Sequence, residues 1–192
     1  MAPNRSPSHL YLFPDAHEDL LKLGMSRRPL ARIEAFHRRW YEAFDLDRGL
    51  LLETETGRDA RELELRLGRA LRAHNAPMPL LIRGEAGGHT EWYRGAYAPL
   101  AEALQALAAQ GYRLHAPLRP WLREALLERA DQLYAWGMGA LDQASLRPGE
   151  GGLERLTPGE RQMMRDALDA YPALDIDLAP RLPPEVMAWY RG

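Results

Sequence analysis

Between Lys22 and Arg39 the chain carries Lys22, Arg27, Arg28, Arg32, Arg38 and Arg39 against a single acid, Glu34. That local net charge of +5 stands out in a protein whose overall charge is −2. Concentrated cationic charge in a balanced chain is the footprint of a phosphate-binding surface, because each cation can displace a counterion from a polyanion. Arg28 and Arg32 are four residues apart and share one helical face, whereas Arg38 and Arg39 fall elsewhere on that helix. Lys22 is the single lysine beside 24 arginines. Arginine stays protonated, while lysine is a compact charge whose pKa can shift, so a lone lysine is a candidate for work arginine cannot do. Downstream, Glu62 and Glu64 are two apart and cannot point the same way. Glu64 borders the apolar stripe that packs on a sheet; Glu62 points further out. One carboxylate near a basic phosphate-binding face is the minimum for a one-metal phosphodiesterase, in which Glu, phosphate and water oxygens share the metal.

These residues need elements to hold them. His9 to Phe13 reads as a strand ending at the Pro14-Asp15 turn, and Leu20 to Met25 as a second strand closed by Gly24. Pro29 opens a helix on which Leu30, Ile33, Phe36, His37 and Trp40 recur at helical spacing. Asp47 to Thr54 is a third strand. Asp59 is positioned to cap a helix whose buried side is Leu63, Leu67, Ala70 and Leu71. Met78 to Arg83 is a fourth strand or an extended edge segment, followed by a glycine-containing loop over residues 84–90. Ala98 to Ala109 is helical and stopped by Gly111. Residues 121–145 form an amphipathic helix that Gly137 and Gly139 can interrupt. Residues 147–152 read as a flexible linker, Thr157 to Glu160 as a capping box, and Pro184 leads into a short last helix. The expected fold is α+β: a small three-stranded, mainly antiparallel sheet flanked by helices. Residues 8–112 form the first domain and residues 113–192 a helical extension.

Taken in order, His9-Leu10-Tyr11, Lys22-Leu23-Gly24, Arg32 and Leu63-Glu64 resemble the motifs of GIY-YIG nucleases over residues 8–95. Tyr11 stands where the first tripeptide has its tyrosine, and Gly24 where the second has its glycine. Arg32 follows Gly24 by eight residues, the family's spacing, and Glu64 stands at the metal-binding glutamate. Leu21 to Ser26 (LKLGMS), Arg61 to Glu64 (RELE) and Glu91-Trp92-Tyr93 are similar to a phage-type branch. His9 and Lys22 depart from the usual tripeptides, and Gly68 stands where that branch often has a histidine.

The resemblance implies hydrolysis of DNA phosphodiesters with one Mg²⁺ or Mn²⁺ bound by Glu64. Arg32 would clamp a phosphate oxygen and Tyr11 would activate or orient water. A phenol titrates near 10, so as a base it needs a nearby cation. Lys22 would stabilise the tyrosinate, or itself act with a lowered pKa. His37 would touch the phosphate or shuttle a proton, and Ser26, Arg27 and Arg28 would hold DNA phosphates. Glu91 is an expected structural hydrogen-bond acceptor.

Composition narrows the alternatives. The chain of 192 residues contains no cysteine, so disulfides, zinc thiolates and cysteine nucleophiles are excluded. No signal-peptide core or membrane-length apolar run is visible, which makes a cytoplasmic protein the expectation. Two other functions compete with an active endonuclease. One is a non-catalytic DNA- or protein-binding module on a decayed nuclease fold; the other is a toxin-like effector. In each, the C-terminal helices are candidates for binding a protein partner or a second copy.

Overall fold

A computed structural model describes residues 7–82, 84, 90–148 and 151–192. Most of the expected loop at 84–90 and the centre of the expected linker at 147–152 lie outside the described residues. The chain divides into two compact units, residues 1–121 and 122–192.

In the first unit, β1 (Ser8–Pro14) and β2 (Leu20–Ser26) form an antiparallel hairpin. Its turn is made by Asp15, whose Oδ1 accepts from the amides of His17 and Glu18 at 2.8 and 2.9 Å. This is the backbone-mimicking bond that suits Asp to turns. The helix expected from Pro29 is present as α1 (Pro29–Phe36), but it stops before Trp40. His37 is extended there, and its Nδ1 accepts from the Arg39 amide at 3.1 Å as the short α2 (Trp40–Ala43) begins. β3 (Leu50–Thr54) pairs with β1 on the side away from β2. α3 (Gly57–Ala70) follows, and its cap is Thr56 rather than Asp59: the threonine side chain accepts from the Asp59 amide.

The sheet has five strands, not the expected three, and all its pairings are antiparallel. β4 (Trp92–Arg94) extends the β2 edge and β5 (Leu114–His115) the β3 edge, giving the order β4-β2-β1-β3-β5. The fourth strand is thus Trp92–Arg94 and not Met78–Arg83; of that segment, residues 78–82 are described, and Leu80 and Leu81 are exposed. β5 lies beyond residue 112, so the first unit runs on to residue 121. α4 (Tyr97–Ala109) connects β4 to β5.

Period-two alternation sorts the side chains between two faces. Leu10, Leu12, Leu21, Leu23, Leu50, Leu52 and Tyr93 form one core with Leu63, Leu67 and Leu71 of α3 and Leu100, Leu104 and Leu107 of α4. The register puts Tyr11 opposite Gly24, and Phe13 opposite Lys22, on the other face.

The second unit is helical. The expected long helix is two: α5 (Arg119–Ala130), which begins at the unit boundary, and α6 (Leu133–Ser145). They are followed by α7 (Pro158–Asp169) and α8 (Pro184–Arg191). The predicted capping box is present at Thr157 and Glu160. Arg147 also grips Glu160 through two nitrogens at 2.7 Å, and this pair together with the Thr157 bonds lowers the Glu160 carboxyl to about 2. Among the described residues, no helix is long and apolar enough to cross a membrane.

Candidate active site

Gly24 explains itself through Tyr11. A Cβ built on Gly24 would lie 2.3 Å from the Tyr11 Oη and 2.5 Å from its Cζ. The ring therefore lies flat across the neighbouring strand, where no side chain but hydrogen fits. Tyr11 stacks on Phe13 with centroids 4.2 Å apart and meets Phe36 of α1 edge-on. Its hydroxyl accepts from Arg32 Nε at 3.2 Å, and the Arg32 guanidinium lies 4.3 Å over the Phe36 ring. Two planar groups are thus fixed by each other and by the same aromatic cluster.

The cation that touches the Tyr11 phenol is therefore Arg32. Lys22, expected beside it, turns elsewhere. Its side chain is 2% exposed, and Nζ donates to Leu23 O at 3.0 Å, Thr90 O at 2.8 Å and Glu91 Oε2 at 3.2 Å. Three acceptors match the three protons of an ammonium. Burial pulls the Lys22 pKa down against the pull of Glu91. Burial also pushes the Glu91 carboxyl up, but hydrogen bonding to Thr90 and the Lys22 charge prevail and hold it below the usual range. Glu91 has φ of +61°, in the left-handed region that a glutamate rarely adopts. Its carbonyl accepts from the Leu23 amide at 3.1 Å, so the strained residue is clamped to β2 by backbone and side chain together. The expectation of a structural acceptor at Glu91 is met by these bonds: the Leu23 amide donates to its carbonyl and the single lysine to its carboxylate.

Burial raises the Tyr11 pKa, and the charge and hydrogen bond of Arg32 offset it only in part. The phenol is neutral near neutral pH.

Glu64 is buried on α3, and its Oε2 lies 2.5 Å from Arg61 Nη1, one turn back. At Gly68, a Cβ would come within 2.9 Å of the Tyr93 hydroxyl. The volume a larger residue would need beside Glu64 is thus taken by β4.

These groups share a cleft of about 1040 Å³, lined in part by Tyr11, Lys22, Arg27, Arg32, Glu64 and Glu91. Met25, Thr56, Gly57, Arg58 and Arg61 complete the lining. The lining carries five cationic side chains and two carboxylates, a surface biased toward an anion. Ser26, Arg28 and His37 are not part of it. Ser26 Oγ accepts from the Arg28 amide at 3.0 Å as α1 begins, and His37 serves the chain break after α1. Arg58 is a cleft residue that the sequence did not single out, and in the sequence Arg61 stands out only as the start of the RELE run, with no role at the site. Their signal was the spacing of three through Arg58, Arg61 and Glu64, which keeps them near one side of a helix.

Among the described residues, no group of three or more His, Asp or Glu side chains is placed to hold a metal ion. The donor set fits only an ion held by the Glu64 carboxylate with phosphate and water oxygens filling the remaining positions. Compared with protein-family models, with curated proteins and with solved structures, the chain matches none.

Proposed function

We propose that the cleft is the active site of a metal-dependent phosphodiesterase that cuts DNA internally, an endonuclease of the GIY-YIG type. One observation carries this reading: Tyr11, Lys22, Arg32 and Glu64, from β1, β2, α1 and α3, line a single cleft of predominantly cationic character. A Mg²⁺ or Mn²⁺ at Glu64 supplies charge neutralisation at the scissile phosphate and the leaving oxygen. Every other contribution comes from the chain. Arg27 and Arg58 hold the strand through its phosphates. Arg32, oriented by Tyr11 and Phe36, presents its charge to a non-bridging oxygen, where the attraction strengthens as charge builds in the transition state. The neutral Tyr11 hydroxyl accepts from Arg32 and keeps its own proton to donate, so it orients water rather than starting as a tyrosinate. Lys22 acts through Glu91 and the backbone at Thr90, holding one wall of the cleft against β2.

The test is incubation with supercoiled plasmid and with single-stranded DNA in Mg²⁺, Mn²⁺ or EDTA. Nicking or linearisation with metal and none with EDTA is the expected outcome. The pairing of both cleft carboxylates with cations is the observation that favours a non-catalytic DNA-binding module. Gel retardation without cleavage in any metal would establish that reading instead. Exposed Tyr134, Trp136 and Met138 on α6 support the second unit as a surface for a protein partner or a second copy, and sedimentation of the intact chain tests the latter.

A further inference from the structure

The two carboxylates of the cleft are paired in different ways. Glu91 is held by Lys22, which is 2% exposed and bonded to three oxygens. Glu64, 7% exposed, is held by Arg61, whose side chain is 57% exposed. The Lys22 pair is part of the wall. The Arg61 pair joins a buried acid to a long cation that is more than half in solvent, and a cation that keeps its water gains little from such a partner. Arg61 also faces the second acid, since its charge helps to hold the Glu91 carboxyl down.

We infer that Arg61 is a gate on the Glu64 carboxylate: it occupies the oxygen a divalent cation needs, yields it when the cation arrives, and then serves the phosphate of the substrate. The inference rests on the nuclease reading of the cleft. Its logic is electrostatic. A carboxylate set into a wall with no countercharge is costly, and its neighbours would rearrange to neutralise it. Arg61 supplies that countercharge and, through its bond to Oε2, keeps the carboxylate aimed. A divalent ion outcompetes a single solvated guanidinium for that oxygen. The displaced arginine is then a cation beside the place where a phosphodiester binds, and it can engage phosphate with the fork that matches it. Metal loading and substrate grip are thereby coupled through one side chain, without movement of the backbone.

The experiment measures Mn²⁺ binding to the full chain by electron paramagnetic resonance, without DNA, for the wild type, Arg61→Gln, Arg58→Gln and Glu64→Gln. A fluorescein-labelled duplex is then titrated in Ca²⁺. Arg61→Gln is expected to bind Mn²⁺ about fivefold more tightly than the wild type, the size of losing one exposed ion-pair competitor. The same variant should bind the duplex more weakly. Arg58→Gln removes an equal charge from the same cleft but no bond to Glu64, so it should weaken duplex binding while raising Mn²⁺ affinity far less. A thermal melt of each variant separates these effects from loss of fold, because misfolding would lower both affinities. Equal gains in Mn²⁺ affinity for Arg58→Gln and Arg61→Gln, or no gain for Arg61→Gln, overturns the gate. If the wild type binds Mn²⁺ and cuts plasmid, only the gate is lost in that case. If no variant binds Mn²⁺ and the wild type never cuts, the nuclease reading fails with it.

Discussion

The two faces of the sheet are built from different materials. On one, leucines of β1, β2 and β3 meet leucines of α3 and α4. On the other, Tyr11, Phe13, Phe36, Phe44 and Trp92 meet through stacked, tilted and edge-on contacts. Aliphatic burial is non-directional and rewards area alone. Aromatic pairs add a preference for angle. The face that must aim a hydroxyl and a guanidinium is the face made of rings. The leucine face lends stability, and the ring face turns part of that stability into orientation.

Substitutions test this division by the ratio of stability lost to activity lost. Leu52→Ala, on the fully buried leucine face, is expected to cost about 2–5 kcal/mol in urea unfolding, a large part of a typical domain's total. Its cleavage rate per folded molecule should hold. Gly24→Ala is expected to cost about 1–3 kcal/mol, as overpacking does, and to remove cleavage as well, because Tyr11 must leave Arg32 to make room. Combining it with Tyr11→Leu should cost less than the sum of the two, since the clash is between those two residues. Strict additivity in that cycle would mean Gly24 leaves space for something other than the ring.

The remaining effects on stability are smaller. Glu64→Gln should cost about 1 kcal/mol or less, because glutamine still accepts from Arg61. It should nonetheless abolish cleavage while leaving salt-sensitive DNA binding in place. Glu62→Ala, on the exposed side of α3, should change stability by no more than about 0.5 kcal/mol and leave cleavage unchanged. A Glu64→Gln protein that still cuts, beside a dead Glu62→Ala protein, would reverse the reading of α3.

The sequence carried the centre of this arrangement better than its margins. β1, β2 and β3 are long enough to display their apolar pattern, and Pro14-Asp15 and Gly24 mark where the chain turns or closes in. β4 and β5 have three and two residues. Strands so short have no periodicity of their own and exist because a longer neighbour offers an edge. The break after α1 was hidden because Trp40 of α2 is also buried and continues the apolar spacing across His37. The break between α5 and α6 has neither glycine nor proline at Asp131-Gln132 to mark it. At the site, the motif residues were legible by type and order, but their partners were not. Charge alone could not tell that Arg32, and not Lys22, meets Tyr11, because the choice depends on which face and which depth each long side chain reaches. Arg58 looked like an ordinary surface residue on a charged helix, and Arg61 like motif context without a role of its own, until a cleft ran beside them.

The strand order also bears on how the chain is made. β1 and β2 emerge first and end up in the middle of the sheet, while the strands that cover its margins come last: residues 92–94 beside β2 and residues 114–115 beside β3. On a ribosome, β3 covers the free edge of β1 early, but the β2 edge must stay open until residues 92–94 and the β3 edge until residues 114–115, about 60 to 70 further residues in each case and several seconds at ordinary elongation rates. Open edges of this kind recruit other strands. A nascent chain arrested near residue 90 should self-associate, and one arrested beyond residue 121 should not.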